Sequence, residues 1–366
     1  MENLKGNIGE WSEAYTFLRL LADKKLYAAD KDLNKKDDQF YPLLKIIRYE
    51  RPDHSVEYIL NEDGAHITIA NKDHSDSEIV ISLDSISKKS DELFIHLKNS
   101  STPSFEIPDI SDFLNTIDYT TLKSKSSKKS DISIQVHDLH TGIAPLLHFS
   151  IKSKLGNAST LFNSNKNSTN FEYEIYPPLN ASNVYNVNSI NTKSKIRDRI
   201  STIYSLGSNL NFNTVVDDVF NMNLQLIDSQ MPLILGEIIL GYFENKISNL
   251  NDLVSYVTDI NPCSYNLKYN HKFYDYKIKK FLIDAALGMT SKMVWNGRYD
   301  ATGGYIIVRS DGELVCYHIF NVNEFQDYLI NNTYLDSPST TRHDYAQIYE
   351  RDGKQYIKLN LQIRFR

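Results

Sequence analysis

The sequence lacks the features of secreted and membrane-spanning proteins. Its two cysteines, Cys263 and Cys316, are too few for a disulfide framework, and the N-terminal stretch MENLKGNIGEWSEAY has no basic-then-apolar layout of a secretion signal. We therefore expect a reducing, cytoplasmic setting. The longest apolar run, residues 231–243, is too short to span a bilayer and contains Glu237, so it predicts a buried helix and no membrane role.

Positive charge is not in excess either. Lys and Arg total 40 against 46 Asp and Glu, a formal net charge of -6, so only local clusters could support nucleic-acid binding. The ten histidines show no zinc-ligand spacing, and no Walker-type or Gly-x-Gly-x-x-Gly segment is present. The sequence therefore predicts neither a zinc site nor nucleotide-driven translocation.

Hydrophobic periodicity predicts a mixed α/β (α+β) protein of 366 residues, long enough for one large domain or two ordinary ones. Residues 9–30 have helical spacing with acids in the opening turn, and residues 54–98 contain runs that predict antiparallel strands. Residues 192–260 turn helical, with a break or kink at Pro232. Two hairpins with Asp-Gly turns follow, and no βαβ repeat train is present.

Two strands near the middle of the chain carry polar groups at their ends. In residues 131–138, DISIQVHD, Asp138 continues an apolar face and would be costly to desolvate unless it meets a cation. In residues 145–153, PLLHFSIKS, Ser150 and Lys152 share one face. If the strands pair, a divalent metal could lie between the acid and a reacting phosphate while the lysine assists the attacking water. A structural Asp–Lys pair across a hairpin is the alternative interpretation.

These strands, preceded by a helix that carries a glutamate, resemble the PD-(D/E)xK nuclease superfamily. More narrowly, several blocks of the chain resemble the HpaII family of type II restriction endonucleases, in the same order from beginning to end. The blocks are residues 5–30, 149–171, 295–319 and 358–365. The stretch from 52 to 130 and the helical region carry little of this resemblance.

The resemblance implies a PD-(D/E)xK-type core, in which a central mixed sheet is flanked by helices, with a helical insert and C-terminal β-hairpins. We accordingly predict a nuclease core over residues 1–180, a helical insert over 181–290 and a hairpin region over 291–366 that contacts DNA.

The resemblance also assigns roles to individual residues. The metal-binding aspartate falls on Asp138 and the catalytic lysine on Lys152, but Ser150 stands where the superfamily usually has a second acid. Because a hydroxyl is a weak ligand for a hard cation, a glutamate from elsewhere must complete the catalytic and metal site. Glu10 is the first choice and Glu13 the second; each has a solvent-facing, dipole-stabilised acid as its alternative interpretation.

Two further sources of acids remain open. The strand pair Glu172 and Glu174 is the third choice for the missing metal ligand. The hairpin with Asp300 and Glu313 is a distant second candidate for the whole catalytic site, because Val315 occupies the position of the lysine and cannot activate water.

The activity that the resemblance implies is Mg²⁺-dependent hydrolysis of double-stranded DNA at a short palindrome, with CCGG suggested as the target. It further implies a homodimer on DNA and a partner methyltransferase that protects host sites. A DNA-binding protein that kept the scaffold but lost catalysis is the alternative, because Ser150 departs from the superfamily pattern.

DNA contacts require cations for phosphates and Asn, Gln or Arg for base edges. Turn chemistry and solvated surface are the alternative interpretations in a chain this rich in Asn and Lys. The candidates for base reading are Asn163, Asn165, Asn170, Arg298 and Arg342. The candidates for phosphate contacts include Lys123, Lys125, Lys128, Lys129, Lys154 and Lys166.

Overall fold

The computed structural model describes residues 3–51, 54–71, 78–123, 130–139, 142–337, 339 and 345–366. Contacts within the chain form two compact units, Met1–Ser159 with Tyr299–Tyr328 and Thr160–Arg298 with Leu329–Arg366. The three-part division stays a prediction, but residues 304–318 of its hairpin region lie in the first unit, beside the strand that carries Lys152.

The described residues form ten α-helices and eighteen strands, which confirms a mixed α+β protein. The helices are α1 (Ile8–Asp23), α2 (Leu83–Asn99), α3 (Pro108–Thr116), α4 (Ala181–Asn188), α5 (Lys195–Ser205), α6 (Asp218–Ile227), α7 (Met231–Asn245), α8 (Leu250–Ile260), α9 (Phe273–Leu287) and α10 (Val322–Asn331). The first nine strands are β1 (Lys5–Gly6), β2 (Lys25–Ala29), β3 (Lys35–Arg51), β4 (His54–Leu60), β5 (His66–Asn71), β6 (Ile79–Ser82), β7 (Phe105–Glu106), β8 (Ile132–Val136) and β9 (Leu146–Ser153). The remaining nine are β10 (Thr160–Phe162), β11 (Asn170–Tyr176), β12 (Asn209–Val215), β13 (Gly304–Val308), β14 (Leu314–His318), β15 (Thr333–Leu335), β16 (Tyr349–Arg351), β17 (Lys354–Asn360) and β18 (Ile363–Phe365).

The first unit is built on a nine-stranded sheet in the order β2-β14-β13-β9-β8-β3-β4-β5-β6. The pairs β9–β13 and β14–β2 are parallel and the other neighbours are antiparallel, so the sheet is mixed. Strand β3 pairs with β2 through its first half and with β8 and β4 through its second half, which closes part of the sheet on itself. Strands β8, β9 and β13 are therefore held between paired neighbours on both sides.

Helix α1 (Ile8–Asp23) confirms the predicted N-terminal helix but is shorter than expected, because Lys25–Ala29 of the same stretch form β2. Asn7 and Glu10 form a reciprocal capping box at its start, and Lys24 ends it in the left-handed conformation. Its buried stripe includes Trp11 and Leu18, which join the hydrophobic core under the sheet. Burying each such side chain contributes roughly 1.5–3 kcal/mol to stability.

Residues 83–98 correct one prediction from the sequence. The run ELFIHL was expected to form a strand, but it lies within α2, where Leu83, Ile86, Leu93 and Leu97 are buried at helical spacing. The Ser82 side chain caps this helix by accepting a hydrogen bond from the Ser85 N–H. The cap and the spacing override the strand-like composition of the run.

The second unit combines two small sheets with six helices, α4 to α9. The four-stranded sheet has the order β12-β11-β17-β16 and the three-stranded sheet the order β10-β18-β15. The predicted break at Pro232 is confirmed, since α6 ends at Ile227 and Pro232 lies in the first turn of α7. Within the described part of the chain no single helix is long and apolar enough to cross a bilayer; α6 and α7 pass that test only together, and they are bent by 106°.

Candidate active site

The register of the β8–β9 hairpin decides which aspartate lies beside the lysine strand. Ile132 pairs with Phe149, and the Asp131 N–H donates to the Phe149 carbonyl at 2.9 Å. Asp138 lies at the other end of the hairpin, where its N–H donates to the Ile143 carbonyl at 2.9 Å. Seven residues of extended chain separate the two acids by on the order of 20 Å. The expectation that Asp138 faces Lys152 is therefore wrong, and Asp131 occupies that place.

Asp131 is joined to the second strand through its side chain. Its Oδ2 accepts hydrogen bonds from the Ser150 hydroxyl at 2.9 Å and from the Ile151 N–H at 2.6 Å. The Lys152 Nζ donates to the same Ser150 hydroxyl at 3.3 Å. Ser150 thus bridges the acid and the amine, which is a different role from that of a missing metal ligand.

Lys152 is also positioned by the neighbouring parallel strand. Tyr305 on β13 pairs with Ser150, and the centre of its ring lies 5.1 Å from the Lys152 Nζ. Burial of the ammonium lowers the pKa of Lys152, and the carboxylates of Asp131 and Glu13 oppose this shift. A lysine with a lowered pKa and a fixed position can take part in proton transfer.

Glu13 of α1 is the glutamate that reaches this group. Desolvation by burial, together with the nearby Asp131 carboxylate, raises its pKa from 4.5 to about 8. Its Oε2 is buried and has no hydrogen-bond partner among the residues that the structure describes. The positive charges of Arg48 and Lys123 lower the pKa of Glu13. A buried carboxylate oxygen without a donor, beside a second carboxylate, is in an environment that a cation would stabilise.

Helix α1 is fixed to the lysine strand by a short contact. The Ser12 hydroxyl donates to the Ile8 carbonyl at 2.7 Å and lies 2.9 Å from the Ser153 hydroxyl of β9. Ser12 precedes Glu13 and Ser153 follows Lys152, so this contact sets the position of both functional residues.

Glu10 is the first choice from the sequence for the missing metal ligand, but its side chain forms part of the N-terminal cap of α1. Its Oε2 accepts a hydrogen bond from the Asn7 N–H at 2.9 Å, and its own N–H donates to the Asn7 Oδ1 at 3.1 Å. It is nevertheless close enough to raise the pKa of Glu13. The structure therefore brings Glu13, rather than Glu10, to Asp131 and Lys152.

Three of the other acids considered from the sequence, Glu172, Glu174 and Glu313, have partners elsewhere. In the second unit Glu172 accepts hydrogen bonds from Arg351, Tyr349 and Asn213, and it is fully buried. Glu174 pairs with Lys354 at 2.9 Å. In the first unit Glu313 pairs with Lys35 at 2.9 Å.

Asp138 lies in a separate buried environment. It is 4% exposed, and its charge acts on Tyr41 and on His318, which is 1% exposed. Burial lowers the pKa of His318 to about 4, and Asp138 opposes this shift. The ring of Tyr41 stacks on that of His318 with centroids 4.9 Å apart.

The donor set fits a hard, oxygen-seeking cation. No group of three or more His, Cys, Asp or Glu side chains that could hold a metal occurs among the described residues. Glu13 and Asp131 supply two carboxylates and no nitrogen or sulfur donor. Mg²⁺ is commonly bound by one or two carboxylates together with waters and substrate phosphate, so this pair is compatible with magnesium.

The DNA-binding candidates are placed differently from one another. Asn163 and Arg298 are exposed. The Asn165 Oδ1 accepts the N–H groups of Asn167 and Ser168, so this side chain shapes a turn. Asn170 is buried, where it accepts from the Asn360 side chain at 2.7 Å and donates to the Lys166 carbonyl at 2.5 Å. Arg342, Lys125, Lys128 and Lys129 lie outside the described residues.

Glu13 of α1, Asp131 before β8 and Lys152 of β9 thus bring two carboxylates and a desolvated amine together. The chain matches the family model "HpaII restriction endonuclease" over residues 7–365. It is 44% identical over 365 residues to the type II restriction enzyme HpaII of Haemophilus parainfluenzae, covering 100% of this chain and 99% of that protein. No solved structure matches the chain.

The chain belongs to the HpaII restriction endonuclease family, which confirms the resemblance found in its sequence. It is accordingly an enzyme, a site-specific endonuclease.

Proposed function

We propose that the protein is a type II restriction endonuclease that hydrolyses phosphodiester bonds of double-stranded DNA within a short palindrome, with Mg²⁺ as its cofactor. The observation that carries this proposal is the convergence of Glu13, Asp131, Ser150 and Lys152 at one end of the β8–β9 hairpin. The family resemblance found in the sequence suggests CCGG as the target.

The arrangement supports a PD-(D/E)xK-type core with two departures. Ser130-Asp131 stands for the Pro-Asp pair, and Ser150-Ile151-Lys152 stands for the acid-x-Lys segment. Glu13 supplies from α1 the carboxylate that Ser150 does not provide. Ser130-Asp131 directly precedes β8, and Ser150-Ile151-Lys152 lies on the antiparallel neighbour β9, which supports this assignment.

Glu13 and Asp131 would hold the magnesium ion. When bound, Mg²⁺ supplies Lewis acidity and neutralises negative charge that develops on the phosphate. The desolvation and mutual repulsion that raise the pKa of Glu13 are the two effects that a cation between these carboxylates relieves.

Lys152 acts on the attacking water. Its lowered pKa makes a neutral amine more accessible, and this amine can accept the proton that the water loses as its oxygen attacks phosphorus in line with the leaving oxygen. Ser150 keeps Nζ and the Asp131 carboxylate in fixed relation, because its hydroxyl bonds to both. Tyr305 limits the movement of the amine from the other side.

The remaining parts of the proposal concern partners. Cleavage of both strands of a palindrome is most simply achieved by a homodimer, since a two-fold target matches a two-fold enzyme. A methyltransferase that modifies the same sequence would protect host DNA in the cytoplasm.

Digestion of plasmid DNA tests the proposal directly. The purified protein is incubated with plasmid in Mg²⁺, with and without chelator, and the fragment ends are mapped. Discrete fragments that require Mg²⁺ and end within CCGG support it. Specific retention of the plasmid without cleavage would instead favour a DNA-binding protein that has lost catalysis, the second candidate, which the Ser150 departure supports.

A further inference from the structure

One loop of the second unit has an unusual combination of exposed apolar tip and rigid base. Residues 288–298, GMTSKMVWNGR, follow α9 and contain two cations and no acid. At the tip, Met293 is 66% exposed and Val294 is 81% exposed. Exposing two consecutive apolar side chains to water is unfavourable in free energy unless a partner covers them.

The base of this loop is held by one buried amide. Asn223 of α6 is 3% exposed, and its Nδ2 donates to the carbonyls of Thr290 at 3.0 Å and Met293 at 2.8 Å. Its Oδ1 accepts the Trp295 N–H at 3.0 Å. Three hydrogen bonds from one side chain fix the loop on both sides of the tip.

The turn after the tip is also ordered by its own contacts. The Trp295 indole donates to the Arg298 carbonyl at 3.1 Å, and the Arg298 N–H donates to the Asn296 side chain at 3.2 Å. Gly297 has a positive φ of 79°, which favours glycine at this point of the turn. The tip is therefore presented in one conformation, as recognition without ordering cost requires.

A second polar segment lies against the loop. The Ser291 hydroxyl is 2.8 Å from that of Ser168, and both residues are buried. Ser168 belongs to residues 163–170, NSNKNSTN, which also contain no acid and expose Asn163, Lys166 and Asn167. In a chain of net charge -6, these two adjoining segments contribute Lys166, Lys292 and Arg298 and no carboxylate.

We propose that the loop 288–298 is a DNA-reading wedge, in which Met293 and Val294 enter a groove of duplex DNA and contact the bases. Arg298 and Lys292 flank the apolar tip, and Asn163 and Asn167 lie on the adjoining segment. Apolar side chains inserted at base steps with basic residues beside them are a known way of binding and deforming DNA. Amide and guanidinium groups are the usual readers of base edges. The wedge rests on the proposed function, since it assigns how that enzyme recognises its substrate.

The test compares two double variants, each of which replaces two exposed apolar side chains by alanine. Met293→Ala with Val294→Ala removes the wedge, and Met222→Ala with Leu226→Ala removes the exposed apolar side chains of α6, which are 69% and 57% exposed. Binding is measured by fluorescence anisotropy, without Mg²⁺, on a duplex carrying CCGG and on a scrambled duplex of the same composition. A CCGG duplex with 2-aminopurine at the central step reports unstacking.

If the loop acts as a wedge, the two variants should differ in their affinity for DNA. The loop variant should lose about 10-fold or more in affinity for the CCGG duplex, with little change for the scrambled one, and should abolish the 2-aminopurine signal. The α6 variant should bind both duplexes as the wild-type protein does. Equal affinity of the loop variant and wild type, or an equal loss in the α6 variant, overturns the wedge.

The alternative occupant of the tip is a second copy of this chain. In that case the loop variant elutes as a smaller species in size-exclusion chromatography and keeps its affinity for DNA, which also overturns the wedge. Failure of the proposed cleavage would appear in the wild-type protein as uncut plasmid, whereas failure of the wedge appears only in the loop variant. A wild-type protein that cuts plasmid but binds neither duplex in this assay overturns the wedge alone, and one that neither binds nor cuts refutes both.

Discussion

The carboxylate of Asp131 accepts the hydroxyl hydrogen of Ser150 at 2.9 Å, and that hydroxyl in turn accepts a hydrogen bond from Lys152 at 3.3 Å. An acid on one strand and an amine on the next are thus joined through a residue that is itself neutral. Because the link depends on strand register, a shift by one residue would turn Ser150 and Lys152 to the other face of the sheet.

The first prediction separates the two aspartates of the hairpin. Asp131→Asn keeps the shape of the side chain but removes the charge beside Glu13, so cleavage of plasmid in Mg²⁺ should fall by about 100-fold or more. Asp138→Asn, the matched change at the other end of the hairpin, should retain most of the cutting rate. Initial rates at saturating Mg²⁺ measure both. A larger loss in the Asp138 variant would restore Asp138 as the metal ligand.

The second prediction concerns the amine. Lys152→Ala should bind duplex DNA as tightly as the wild-type protein and lose about 10²- to 10⁴-fold in cleavage rate, the range expected for loss of a general base. Lys98→Ala is the control, because Lys98 is an exposed lysine of α2 outside the candidate site. Single-turnover cleavage and anisotropy measure the two effects. Wild-type rates in the Lys152 variant would contradict the placement of the site.

The third prediction concerns Ser150, which bridges Asp131 and Lys152. Ser150→Ala removes the hydroxyl that holds Asp131 and Lys152 together, and the cleavage rate should fall by about 10- to 100-fold because positioning, not the reacting group, is lost. Activity should also require a higher Mg²⁺ concentration, since the Asp131 carboxylate loses a fixed orientation. An unchanged Mg²⁺ dependence would show that Ser150 has no positioning role.

Local signals in the sequence were sufficient for several elements. The helical spacing of α1, the Asp-Gly hairpin turns and the break at Pro232 each depend on residues close together in the chain, and all three are present in the structure. The α2 error has a local cause too, since a short apolar run does not distinguish strand from helix.

The site depends on a longer-range quantity, the register of β8 against β9. That register follows from the length of the connection between the strands, which includes residues 137–145 and has no defining turn motif. An acid that directly precedes an apolar strand, as Asp131 does, was the available signal. Asn165 and Asn170 show the same limit, because turn and network hydrogen bonds take up side chains that the sequence leaves open for DNA.

The last prediction uses the pH dependence of stability to test Glu13. Its pKa is about 8 in the folded protein against an ordinary 4.5, so between these values the folded state holds a proton that the unfolded state has released. The free energy of unfolding therefore falls as pH rises through this window, and the cost is fully present above pH 8. Glu13→Gln removes the ionisation and should stabilise the Mg²⁺-free protein at high pH by up to about 5 kcal/mol, with little effect below pH 4.5.

The measurement is denaturant unfolding with chelator present, at one pH near 5 and another near 9. Glu62→Gln is the matched control, because it removes the same charge at an exposed glutamate between β4 and β5, outside the group formed by Glu13, Asp131, Ser150 and Lys152. The Glu13 variant should also lose both DNA cleavage and the stabilisation that Mg²⁺ gives the wild-type protein, because ligand binding to the folded state raises its stability. Equal stability of the Glu13 variant and wild type near pH 9 would mean that this carboxylate is not held in a desolvated site beside Asp131.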